Sequence, residues 1–71
     1  MEHEVVLRGD TIRLGQLLKL TGMVDAGGDV RAFLATVPVL VNGEAEDRRG
    51  RQLHAGDEVR AGDDVVRVIS Q

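Results

Sequence analysis

Three arginines set around one glycine, Arg48, Arg49 and Arg51 with Gly50 between them, are the residues of this chain best suited to chemistry. Each guanidinium is planar, permanently charged and able to make paired hydrogen bonds to two oxygens of a phosphate. Fanned out from a short polar loop, the three can meet several phosphates of one polyanion. The competing account is a solvated loop whose charge Glu44, Glu46 and Asp47 partly neutralise, and the cluster alone does not decide between the two.

A second candidate precedes it. Asp25 reads as the N-cap of a helix whose apolar stripe is Val30, Phe33, Leu34 and Val37, spaced i, i+3, i+4, i+7. Gly27 and Gly28 then fall in its first turn, where each costs on the order of 1 kcal/mol relative to alanine. Close approach of a phosphate to unpaired helix amides is one compensating reason, with Arg31 one turn beyond Gly27 to complete the pocket. Close packing of two helices is the other, and the carboxylates of Asp25 and Asp29 would repel an anion there. Both readings stand at this point.

The elements that must position these groups follow from periodicity. Glu4 to Arg8 suits a short strand ended by Gly9-Asp10, and Asp10 or Thr11 is placed to cap a helix starting at Ile12. Leu14, Leu17 and Leu18 form its apolar face and Gly22 its stop, leaving Arg13 and Lys19 on a solvated flank. Pro38 ends the second helix and leads into the strand Val39-Leu40-Val41. Asn42-Gly43 then predicts a type I′ hairpin turn. Ala55-Gly56-Asp57 and Gly62-Asp63 predict two further turns, and Val65 to Ile69 reads as a central strand with Arg60 and Arg67 on the sheet surface.

Seventy-one residues make one domain with a modest core and no room for a deep catalytic cleft. Apolar residues are 42% and charged residues 30%, the balance of a folded chain. The net charge of -3 excludes indiscriminate coating of nucleic acid, so any anion site is a local patch. Phe33 is the one aromatic, which nearly excludes base stacking on aromatic side chains as a binding mode. Cysteine is absent, His3 and His54 have no partner at ligand spacing, and Ser70 has no base beside it. No P-loop or dinucleotide fingerprint occurs. The chain thus reads as a non-enzyme with no cofactor, metal or small-molecule substrate. With no apolar run of membrane length and an acidic start, a cytoplasmic address is expected.

Taken together, Arg13-Leu14 with Leu17-Leu18-Lys19, Gly27-Gly28-Asp29-Val30-Arg31, Val39 to Glu44, Arg48-Arg49-Gly50-Arg51 and Gly56-Asp57-Glu58-Val59 resemble the ribosomal S-four-type RNA-binding domain. The likeness covers about Ile12 to Val68 and is closest to the small standalone bacterial proteins made of little else. It implies an α+β fold, the alpha-L motif: a helix-loop-helix packed on a small antiparallel or mixed sheet of four to five short strands. It also implies binding of structured RNA, ribosomal or transfer RNA, through the second helix and the following hairpin loop. On that likeness the RNA-binding positions fall on Lys19, Gly27, Gly28, Arg31, Arg48, Arg49 and Arg51. Gly15 departs from the pattern, since an acidic residue commonly follows the Arg-Leu pair, as does Thr36-Val37-Pro38 at the second helix exit.

The expectation is therefore non-catalytic binding of structured RNA, with the ribosome as an associated partner and no membrane role. The alternative is a β-grasp domain acting as a sulfur carrier or protein-interaction module, which shares the Asn-Gly-Glu turn and the late Gly-Asp-x-Val run. Sulfur carriers end in Gly-Gly, and this chain ends Val68-Ile69-Ser70-Gln71.

Overall fold

The computed structural model describes residues 1–25 and 27–71. The described residues form β1 (Glu2–Leu7), β2 (Ile12–Arg13), α1 (Leu14–Leu20), α2 (Val30–Thr36), β3 (Val39–Val41), β4 (Glu44–Ala45), β5 (Gln52–Leu53), β6 (Glu58–Ala61) and β7 (Asp64–Ser70). Five strands make one sheet in the order β1-β7-β6-β3-β4. β1 runs parallel to β7, with Val5 opposite Val68, and the other neighbours are antiparallel. The sheet is therefore mixed, and β7 lies inside it with a strand on either side, which accounts for its nearly continuous apolar run.

Side-chain alternation gives this sheet one buried face. Val39, Val41, Val59, Ala61, Val66 and Val68 are buried while their neighbours along each strand are half-buried or exposed. They share one cluster with Leu14, Leu17 and Leu18 of α1 and Val30 and Leu34 of α2. Leu14, Leu17 and Leu18 are wholly inaccessible to water, each such burial stabilising by roughly 1.5–3 kcal/mol, whereas Leu20 of the same helix is exposed. Each helix has only seven residues, too few to persist alone and too few to cross a membrane. Packing on the sheet is what holds them.

Two helix starts differ from the sequence reading. Ile12 and Arg13 belong to β2, which pairs with β5 in a separate two-residue ribbon, Ile12 opposite Leu53 and Arg13 opposite Gln52. α1 thus begins at Leu14, two residues later than expected, and neither Asp10 nor Thr11 caps it. Its N-cap, Arg13, makes no side-chain cap; the Leu14 and Gly15 amides donate instead to the carbonyls of Arg51 and Arg49, each at 2.9 Å. Distant carbonyls from the arginine loop supply what a local cap would supply. For α2 the cap is Asp29 and not Asp25: Asp29 Oδ1 accepts from the Arg31 and Ala32 amides at 2.9 and 3.2 Å. Asp29 stands directly before the apolar stripe, so it wins the cap position. Gly27 and Gly28 accordingly precede the helix and do not occupy its first turn.

The turns follow the sequence closely. Asn42 at φ 53° and Gly43 at φ 85° make the hairpin turn that sets Val41 opposite Glu44. Asn42 also accepts from the Glu58 amide and donates to Asp57, tying this turn to the start of β6. α2 ends at Thr36, and Val37 is an extended C-cap whose amide donates to the Phe33 carbonyl at 2.8 Å before Pro38.

Candidate nucleic-acid interface

Glu46 organises the arginine loop. Its amide donates to the Val39 carbonyl at 2.9 Å, which fixes it against β3, and its side chain is almost entirely buried. Oε2 accepts from the amide and Nε of Arg48, both at 3.0 Å. Oε1 accepts from Arg48 Nη2 at 3.1 Å and from Arg51 Nη1 at 2.8 Å. The hydrogen bonds from the Arg48 and Arg51 guanidiniums, with the Arg48 amide, hold the Glu46 carboxyl down to about 2, against the opposing effect of burial. The same contacts push Arg48 above its ordinary value.

Arg49 lies between these two arginines and is used differently. Its carbonyl is taken by the Gly15 amide, and among the described residues its guanidinium has no carboxylate within ion-pair distance. It lines an open groove with Gly50 from the loop, with Arg13, Gln16 and Lys19 from β2 and α1, and with Gly27 and Asp29 ahead of α2. The groove encloses about 660 Å³, a size that takes a nucleotide-sized group. Arg49 also lines an adjoining groove beside Arg31, Leu34 and Ala35 of α2 and Asp47 of the loop.

Basic residues therefore sort into two sets. Arg48, Arg51, Arg60 and Arg67 lie within 4.0 Å of carboxylates: Glu46 for the first two, Glu58 for Arg60, and Glu58 and Glu2 for Arg67. Arg8, Arg13, Lys19, Arg31 and Arg49 form no such pair among the described residues. Four of those five line the two grooves that meet at Arg49.

Of the positions singled out in the sequence, Lys19, Gly27, Gly28 and Arg49 come together in the first groove and Arg31 in the second. Arg48 and Arg51 face Glu46, with the Arg48 side chain still 73% exposed and Arg51 half-buried. The two glycines part company. A Cβ on Gly28 would lie 2.9 Å from Val24 Cγ1 and 3.0 Å from the Asp25 carbonyl, whereas one on Gly27 would meet nothing within 4 Å. Gly28 thus answers to packing, and Gly27 leaves the groove wall open. The helix start expected to receive a phosphate at Gly27 and Gly28 lies instead at Val30: the Gly28 amide donates to the Asp25 carbonyl at 2.7 Å, and the Arg31 and Ala32 amides of the helix donate to Asp29. Sequence reasoning passed over Arg13 and Gln16 as groove residues. The signal was their spacing of three, Arg13, Gln16, Lys19, which sets them on one flank.

The family model of the S4 domain matches residues 5–69. Over 59 residues the chain is 42% identical to "Probable ribosome maturation protein RlbA" of Bacillus subtilis (strain 168), covering 83% of each chain. With the domain matched over nearly its whole length and this relative aligned across most of both proteins, the chain belongs to the S4 domain family.

Proposed function

We propose that this chain is a non-catalytic binder of structured RNA that grips the phosphate backbone with Arg13, Lys19, Arg31 and Arg49. The observation that carries this reading is the sorting of its cations. In a chain of net charge -3, the arginines on the sheet and at Glu46 are paired with carboxylates, and four of the five cations without such a pair among the described residues line two adjoining grooves. Such a stripe is a local anion site on an otherwise acidic surface. Arg48 lies at its margin and adds to the same field; Arg51 serves chiefly to shape the loop. Gly27 keeps one wall free of side chain, so a sugar-phosphate backbone can lie close.

The single aromatic, Phe33, is half-buried and packs against the core, which leaves no aromatic platform on which successive bases could stack. Recognition is then of shape and phosphate spacing, which suits a duplex, stem-loop or junction better than a free strand. The S4 family match and the ribosome maturation name of the Bacillus relative support a ribosome-associated, cytoplasmic role, with ribosomal RNA as the first target and transfer RNA as the second. Membership of the S4 family replaces the β-grasp alternative.

The test is a binding titration of wild type, Arg49→Glu and Arg60→Glu against ribosomal and transfer RNA at several salt concentrations. With about four phosphates contacted, log affinity falls against log salt with a slope of roughly -3 to -4. Arg49→Glu weakens binding by about tenfold or more, while Arg60→Glu, a paired residue on the sheet, stays within about twofold. A flat salt response overturns the proposal.

A further inference from the structure

A buried carboxylate in the middle of an anion-binding loop is, on charge alone, a liability. Glu46 sits two residues from Arg48 and five from Arg51, and it repels the phosphates that Arg49 would attract. Its geometry points the other way. One carboxylate accepts four hydrogen bonds, three of them from the two guanidiniums on opposite sides of Arg49 in the chain and one from the Arg48 amide. The Arg51 amide closes the turn onto the Arg48 carbonyl at 3.2 Å, and the Arg49 and Arg51 carbonyls are fixed by the α1 amides of Gly15 and Leu14. The backbone on either side of Arg49 is thereby anchored at Glu46 on one side and at α1 on the other.

We propose that Glu46 is a positioning residue of the RNA-binding groove: by clamping Arg48 and Arg51 it holds Arg49 where the two grooves meet. The inference rests on the reading of those grooves as the RNA site. The arginine loop then has a division of labour, in which two arginines are spent on Glu46 and the guanidinium of the third is presented with no carboxylate partner among the described residues. A flexible loop bearing three free arginines would have to order itself on binding, losing affinity to the entropy of fixing backbone and side chains. A preformed loop has that ordering in place before the RNA arrives.

The sign of one substitution separates this account from simple electrostatics. Glu46→Gln removes a negative charge beside a polyanion site, so a field effect alone tightens RNA binding. Loss of the clamp weakens it. Wild type, Glu46→Gln, Arg49→Gln and the double variant are titrated with ribosomal RNA at fixed salt, and amide hydrogen exchange is followed by NMR. The expected result for Glu46→Gln is about five- to twentyfold weaker binding. Exchange should be faster at the Gly15 and Leu14 amides while the Val59 and Val66 amides stay protected. The double variant should bind about as weakly as Arg49→Gln, because both changes remove the same contact.

Binding by Glu46→Gln equal to or tighter than wild type overturns the inference, as does multiplication of the two single effects. Should Glu46→Gln fail to fold, Arg51→Gln breaks the clamp from the other side. It should then loosen the same two amides and be non-additive with Arg49→Gln; independent, additive losses overturn the inference. Failure of the RNA reading itself looks different, since Arg49→Gln would then bind like wild type.

Discussion

The Gly15 amide donates to the Arg49 carbonyl at 2.9 Å, so the second residue of α1 and the middle arginine of the loop are in direct contact. A Cβ on Gly15 would lie 3.4 Å from both Cβ and carbonyl oxygen of Arg49 and 3.3 Å from Val30 Cγ1 of α2. Both helices and the loop therefore converge on a position with no side chain. Alanine there gains about 1 kcal/mol of helix propensity and loses a comparable amount to crowding against backbone, so Gly15→Ala should unfold within about 1 kcal/mol of wild type. Gly15→Val forces the loop off the helix and should cost about 1–3 kcal/mol in urea unfolding while also weakening RNA binding. If Gly15→Val kept wild-type stability and affinity, this contact would have no bearing on the groove.

Acid stability isolates the Glu46 clamp. Its carboxyl titrates near 2 in the folded protein and near 4.5 when unfolded, so the folded state binds fewer protons in between. The sign follows: the contribution is fully present above about pH 4.5 and is lost as pH falls toward 2. It amounts to about 1–3 kcal/mol. Asp57 adds to the trend. Burial opposes its ionisation, but the His54 amide and the Asn42 side chain outweigh that and keep its pKa below the ordinary value. Comparison with Glu46→Gln separates the two groups: the variant should be less stable at pH 7 and lose less stability on acidification. Parallel curves of unfolding midpoint against pH would remove Glu46 from the account.

Much of the fold was legible because it depends on local chemistry. The apolar strands Val39-Leu40-Val41 and Val65 to Ile69, the Asn42-Gly43 turn and the leucine spacing of α1 each point to one structure, and each is found. Helix starts were less legible. Nothing near Ile12 signals that the cap of α1 comes from carbonyls more than thirty residues away, since backbone acceptors carry no residue signature. The β2–β5 ribbon is two residues long on each side, too short for a period to show. At the site the residue types were readable and their partners were not. Arg48, Arg49 and Arg51 look equivalent in sequence, and only the fold reveals that Glu46, expected as a solvated counter-charge, is buried and takes two of them.

Arg13 carries a further prediction because it was assigned to a solvated flank and instead lines the first groove beside Arg49. Arg13→Gln should weaken RNA binding by about three- to tenfold and reduce the salt slope by about one contact. Arg67→Gln removes the same charge from the far side of the sheet, where Glu58 and Glu2 already pair it, and should change affinity by no more than about twofold. Fluorescence anisotropy with a labelled ribosomal RNA fragment measures both. Equal losses from the two variants would mean that net charge, and not the groove, governs binding.

Adjacent glycines give the sharpest separation of packing from recognition. At Gly28 an added Cβ falls 2.9 Å from Val24 Cγ1 and 3.0 Å from the Asp25 carbonyl, and Val24 is itself a buried core residue that cannot yield freely. Gly28→Ala should therefore destabilise by about 1–3 kcal/mol. Gly27 faces open space and its φ lies outside the left-handed region, so alanine should leave stability within about 0.5 kcal/mol of wild type. The same methyl group projects from the wall of the groove that Arg49, Arg13 and Lys19 line. If phosphate runs along that wall, Gly27→Ala weakens RNA binding several-fold at unchanged stability, and Gly27→Val weakens it further. Unfolding curves and RNA titrations on the same samples separate the two effects. Wild-type affinity for both Gly27 variants would move the bound backbone away from this wall, toward the second groove beside Arg31.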